Sequence, residues 1–162
     1  MIGNRVVVGI ADLKIGAPGD RLITHALGSC LGIVAHDPEA GVGGMLHVML
    51  PSSRINAAKA RETPAMFVDT GVPLLFERCY RAGARKERMI VMVAGGAGRS
   101  TDPAEDSFQI GKRNMVMLRK LLWKNGVLIR GQDVGGQRSR DMIYDVDTGT
   151  VTVRSAGTSR TL

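Results

Sequence analysis

Cys30 stands in the run Ala26-Leu27-Gly28-Ser29-Cys30-Leu31-Gly32, a tight segment between two apolar stretches. A glycine beside a thiol lets the backbone turn sharply. A reacting carbonyl can then approach the sulfur, and backbone N–H groups stay free. The N–H groups of Gly28, Ser29 and Cys30 are therefore candidates for an oxyanion hole. The competing reading is a small apolar thiol in the core, the commoner fate of a free cysteine. Cys79 is the control for that reading. It falls on the apolar face of a helical pattern, one turn after Leu75 and with no glycine beside it, and reads as core.

A cysteine nucleophile works as the thiolate, and a nearby imidazole helps to make it. Three histidines are available. His47 sits in Gly44-Met45-Leu46-His47-Val48-Met49-Leu50-Pro51, an apolar strand pattern in which a buried imidazole needs a hydrogen-bond partner. His25 adjoins Thr24, so in an extended strand the two face opposite sides. His36 adjoins a turn and is expected to be exposed. On the residues alone the preference for His47 is slight. Thr24 is polar in an apolar run. Its hydroxyl could orient an imidazole, more weakly than the carboxylate of a usual triad, and it could equally be an ordinary strand threonine. Two cysteines and three histidines show no paired ligand spacing, so no metal is expected. Ala94-Gly95-Gly96-Ala97-Gly98-Arg99 follows a strand but lacks the Lys-Ser/Thr ending of a phosphate loop. Asp133-Val134-Gly135-Gly136 is no stronger. Both read as turns at the rim of a site, and no cofactor is expected.

The elements that must carry these residues can be read coarsely. Arg5 to Ile10, Leu22 to Leu27, Leu31 to His36 and Val42 to Leu50 read as strands, the last three as a meander with a turn at Asp37 to Gly41. Ser52 to Pro64 is polar and reads as a loop. Val68, Val72, Leu75, Cys79 and Ala82 recur at helical spacing, with Pro73 starting or kinking that helix and Gly83 ending it. Arg88 to Ala94 is a strand and Gly98 to Gln109 a polar loop. A second helix spans about Gly111 to Asn125, before Gly126. Val127 to Gln132, Met142 to Val146 and Thr150 to Arg154 read as strands, the last two joined by a hairpin at Asp147-Thr148-Gly149. The tail after Ser155 is expected to fray.

Composition bounds the rest. The chain has 162 residues, the size of one domain, and no internal repeat or long linker divides it. Hydrophobic residues make up 44% but aromatics only 4%, so the core must rest on Val, Ile, Leu, Met and Ala. No run approaches a membrane span, and the N-terminus lacks the pattern of a secretory signal. A cytoplasmic location with reduced thiols follows as the expectation, which disfavours a Cys30–Cys79 disulfide. The net charge is +7, from 22 basic and 15 acidic residues. No nucleic-acid-binding motif accompanies it, so an acidic protein partner is expected rather than nucleic acid or membrane insertion.

Thr24, Leu27-Gly28-Ser29-Cys30 and Gly44 to Pro51, in this order and spacing, resemble the CheD family of chemoreceptor glutamine deamidases. The resemblance continues through Asp69-Thr70, Ala94-Gly95-Gly96, Ile110-Gly111-Lys112-Arg113-Asn114, Asp133-Val134-Gly135-Gly136 and Thr148-Gly149. It thus spans roughly residues 5 to 155 of the chain. His25 and the polar segment Gly98 to Gln109 depart from the family pattern. The resemblance implies a Cys30-His47-Thr24 arrangement. It implies an α+β fold of layered mixed β-sheets with flanking helices, like that of cytotoxic-necrotising-factor-type cysteine deamidases. It also implies glutamines on the cytoplasmic region of methyl-accepting chemotaxis receptors as substrate, with hydrolysis of receptor methyl esters as a second activity through the same thioester. The phosphatase CheC would be a regulatory partner. The rival readings are a non-catalytic adaptor or receptor-binding module and a cysteine enzyme of another class, such as a transglutaminase.

Overall fold

The computed structural model describes residues 3–100, 102 and 104–162. It is an α+β structure in three layers: two five-stranded sheets face each other, and helices cover the outer face of one. The first sheet runs β1 (Arg5–Val7), β3 (Arg21–Leu27), β8 (Arg140–Asp145), β9 (Val151–Ser155) and β10 (Thr158–Thr161) in spatial order. The second runs β2 (Asp12–Ile15), β5 (Val42–Val48), β4 (Leu31–Asp37), β6 (Ile90–Gly95) and β7 (Ile129–Val134). The β1–β3 and β6–β7 pairs are parallel and the others antiparallel. Among the described residues the chain also forms three α-helices, α1 (Ala57–Glu62), α2 (Val68–Arg81) and α3 (Ile110–Lys124), and three single-turn 3-10 helices. None among the described residues is long and apolar enough to cross a membrane.

Strand alternation divides the core in two. Leu31, Ile33 and Ala35 of β4, with Leu46 and Val48 of β5, face Val72, Leu75 and Cys79 of α2 and Met115, Leu118 and Leu122 of α3. Val34 and Met45 point the other way and pack between the sheets on Leu22, Leu27, Met142 and Tyr144. Covered on both faces, β4 is buried at all seven residues, which explains its apolar run from Leu31 to Ala35. Cys79 lies in the helix-side core, where burial pushes its thiol up to about 12. Both cysteines are free thiols.

Several expectations need correction. The meander is broken: β4 and β5 pair, but β3 belongs to the opposite sheet, so the chain crosses between layers at Gly28-Ser29-Cys30. β1 stops at Val7, and β2 adds a strand that its mixed composition hid. The polar stretch after Pro51 forms α1, capped by the Asn56 side chain. α2 begins at Val68 and runs through Pro73. The tail pairs with β9 as the edge strand β10 instead of fraying. His36 is buried rather than exposed. Its Nδ1 lies 2.6 Å from the Tyr144 hydroxyl, an inter-sheet hydrogen bond that satisfies both groups.

Candidate active site

The crossover begins with a distortion of β3. The pairing of β3 with β8 shifts register between Thr24 and Leu27, and Ala26 takes a positive φ of 55°. This is a bulge, which bends a strand and re-aims the residues beyond it. The Asp141 carboxylate holds it, accepting from the Ala26 N–H at 3.0 Å and lying 3.4 Å from His25 Nδ1. His25 therefore points outward, as alternation from Thr24 requires.

Thr24 points inward and is fully buried between the sheets. Opposite it, Gly32 of β4 is the cross-strand neighbour of His47 on β5. A Cβ on Gly32 would lie 2.8 Å from Met142 Sδ, 2.9 Å from Leu27 Cδ1 and 3.3 Å from Thr24 Cγ2. The missing side chain is thus the slot through which the first sheet reaches the second. Thr24 Oγ1 lies 2.7 Å from His47 Nδ1 and donates to the Val8 carbonyl at 2.8 Å. A hydroxyl has one proton. With that proton on Val8, the Thr24 oxygen accepts at its other contact, and the network assigns the His47 proton to Nδ1. Nε2 then carries the lone pair. It is buried and has no hydrogen-bond partner among the described residues.

Cys30 lies two residues before Gly32, half-buried at the end of the crossover. The carbonyls of this segment are all tied down. Gly28 accepts from Ala97 N–H at 2.8 Å, Ser29 from Asn114 Nδ2 at 3.0 Å, and Cys30 from Gly96 N–H at 2.9 Å. Gly95 permits that approach, since a Cβ there would collide with the Cys30 carbonyl. No N–H of Gly28, Ser29 or Cys30 donates to the backbone or side chain of another described residue. The structure brings Thr24 and His47 into contact and sets Cys30 on the adjoining loop, without a hydrogen bond between its sulfur and His47.

Burial raises the Cys30 thiol above its ordinary value, and the residue's own N–H offsets this only in part. Burial also lowers the His47 imidazole. Burial thus disfavours both the thiolate and the imidazolium, because desolvation penalises charge.

Two supporting residues escaped the sequence reading. Asn114 of α3 is fully buried and donates from Nδ2 to both Ser29 O (3.0 Å) and Met49 O (3.2 Å). It joins the cysteine loop to the end of the histidine strand. Its signal was a polar residue on the apolar face of a helix. Arg140 is buried at the edge of the sheets, donating to Gly95 O at 3.1 Å and Gly135 O at 2.7 Å while paired with Asp133 at 2.9 Å. The two glycine blocks are thereby one frame beside the cysteine loop. A depression of about 190 Å³ opens there, lined by Ser29, Ala97, Arg99, Asp106, Phe108 and Ile110.

A two-sheet α+β body with a thiol at the inter-sheet crossover, beside a buried His–Thr pair, defines the structural class. Sequence comparison gives the family. Residues 49–155 match the family model for CheD chemotactic sensory transduction. The chain is 48% identical over 153 residues to a probable chemoreceptor glutamine deamidase CheD of Syntrophus aciditrophicus, covering 94% of each chain. It is 46% identical over 160 residues to a protein of the same description from Solibacter usitatus, covering 98% of this chain and 94% of that one. A third such protein, from Anaeromyxobacter dehalogenans, is 45% identical over 151 residues. The chain belongs to the CheD family. The family-model match starts just after His47, whereas the Solibacter similarity runs through all three site residues.

Proposed function

We propose that this protein deamidates glutamine side chains on the cytoplasmic region of chemotaxis receptors, with Cys30 as nucleophile, His47 as base and Thr24 as the group that orients His47. The observation that carries the chemistry is the 2.7 Å contact of Thr24 Oγ1 with His47 Nδ1, which leaves the buried Nε2 without a partner among the described residues. The Cys30 thiol gives its proton to Nε2 as the sulfur attacks the carboxamide carbon. Free N–H groups of the crossover hold the developing oxyanion. The C–N bond breaks as imidazolium protonates the departing nitrogen, releasing ammonia and leaving a thioester. Water then loses a proton to Nε2 and attacks the thioester. Its collapse yields glutamate and restores the thiol.

On the same reading the protein works in the cytoplasm, and CheC is a regulatory partner where an organism has it. The two-sheet body would be a form of the cytotoxic-necrotising-factor-type deamidase fold. Family membership is what supports these three points. The deciding experiment is incubation with receptor cytoplasmic fragments and peptide mass spectrometry. Glutamine-to-glutamate conversion that Cys30→Ala abolishes and Cys79→Ala retains is the expected result. Equal loss in both variants would remove Cys30 from the mechanism.

A further inference from the structure

The net charge of +7 is not spread evenly. α3 contains Lys112, Arg113, Arg119, Lys120 and Lys124 and no acidic residue, so this one helix accounts for five of the seven charges. Elsewhere the basic and acidic residues nearly balance, and seven of the seventeen basic side chains are ion-paired among the described residues, as in Arg21–Asp145, Arg81–Glu77, Arg88–Asp37 and Arg140–Asp133. None of the five α3 cations forms an ion pair with a described residue.

Their arrangement is ordered. At about 100° per residue, the exposed side chains of α3 share one arc. Val116 and Trp123, seven residues apart, lie along its centre. Lys112 and Arg119 flank them on one side, Arg113 and Lys120 on the other. Trp123 is 83% exposed and Val116 55%. A tryptophan left so far in solvent, inside an uncompensated cationic stripe, is unexplained by the fold itself.

We propose that this face of α3 docks an acidic helical segment of the receptor substrate, an inference that rests on the receptor-deamidase reading. A seven-residue apolar spacing with flanking charges is how one helix packs along another. The complementary partner has apolar residues at heptad spacing and carboxylates beside them. Duplex nucleic acid would answer the charge but not the apolar line. An interfacial membrane helix needs a far larger apolar face than one valine and one tryptophan. The opposite side of α3 carries Asn114, which holds the cysteine loop. One rigid helix therefore links the docking face to the candidate site. Each deamidation adds a carboxylate to the substrate, so the attraction grows as the reaction proceeds.

Trp123 is the single tryptophan of the chain, so its emission reports on this face directly. The full-length protein would be titrated with a tryptophan-free receptor cytoplasmic fragment, and separately with anionic phospholipid vesicles and duplex DNA. A saturable blue shift with the receptor fragment is expected. Arg119→Glu with Lys120→Glu should weaken the Kd by about ten-fold and flatten its salt dependence. The kinetic loss should fall on KM rather than kcat, while the alkylation rate of Cys30 reports an intact site. Unchanged Trp123 emission at fragment concentrations that saturate deamidation would overturn the proposal. So would a Kd and KM that move less than about two-fold in the double variant, or a shift with vesicles or DNA alone. A shift with a fragment that is never modified would keep the docking face and sink the deamidase reading instead.

Discussion

The hydroxyl of Thr24 spends its only proton on the Val8 carbonyl at 2.8 Å, so its oxygen fixes the tautomer of His47 rather than merely steering the ring. On the proposed mechanism this makes variants graded. Thr24→Val keeps the shape but leaves a buried imidazole N–H unpaired, and an imidazole that shifts its proton to Nε2 is no longer a base there. Turnover should fall by about 10²-fold or more, toward the general-base contribution of about 10²–10⁴. Thr24→Ser should stay within a few-fold of wild type, and His47→Ala should be inactive. A fully active Thr24→Val would remove the tautomer role. The burial of the Cys30 thiol gives a second expectation. Because burial raises the Cys30 thiol, its alkylation by iodoacetamide should climb toward alkaline pH with a midpoint above that of a free thiol. A midpoint in the acidic range would instead establish a preformed thiolate–imidazolium pair.

At the scale of elements, α3 holds the crossover from behind. Asn114 Nδ2 donates to carbonyls from two separate segments, Ser29 and Met49, with neither of which α3 shares a strand ladder. Asn114→Asp replaces that donor with an oxygen facing two carbonyl oxygens, and Asn114→Leu leaves both carbonyls unpaired. Either change should cost about 1–3 kcal/mol of stability, the usual penalty for orphaned buried groups. Because the loop carries Cys30, turnover should fall with kcat, and the pH profile of Cys30 alkylation should move. Urea melts and alkylation profiles on both variants separate the two effects. Lost stability with unmoved turnover and profile would make Asn114 a purely structural residue.

Across the whole molecule, buried titratable groups set the pH limits of stability. His36 and His47 are both lowered by burial, so the unfolded chain binds protons more readily than the native one. Their contribution is fully present above the unfolded value of about 6.5 and is lost as pH falls through it toward the lower folded values. Burial alone would raise Asp37, but hydrogen bonds from Arg85, Ala40, Arg88 and Glu39 outweigh it and hold its carboxyl at about 2, below the ordinary 3.8. That contribution survives to pH 3.8 and disappears between there and about 2. Acid should therefore destabilise the fold in two steps. Denaturant midpoints measured from pH 8 to 3 should first drop below about 6.5 and again below about 4. A flat profile between pH 8 and 5 would show that the two histidines titrate alike in both states.

Sequence alone marked much of this protein. The glycine beside Cys30, the apolar run around His47 and the helical spacing through Leu75 and Cys79 each reflect local backbone or periodicity rules, which a linear reading captures. The charge excess was legible too, though not its concentration on one face. What the sequence left open was which strands share a sheet. Leu22 to Leu27 and Leu31 to His36 look like successive strands of one meander, yet a bulge at Ala26 sends them into opposite layers. His36 gave no sign of its partner, and the residues alone left Thr24 between orienting an imidazole and serving as an ordinary strand threonine, because Tyr144 and His47 reach them only once the sheets stack. Asn114 showed only as a polar residue on the apolar face of a helix, with no sign of the two carbonyls it would meet. Pairing across layers depends on contacts between residues distant in sequence, and only the assembled core decides those.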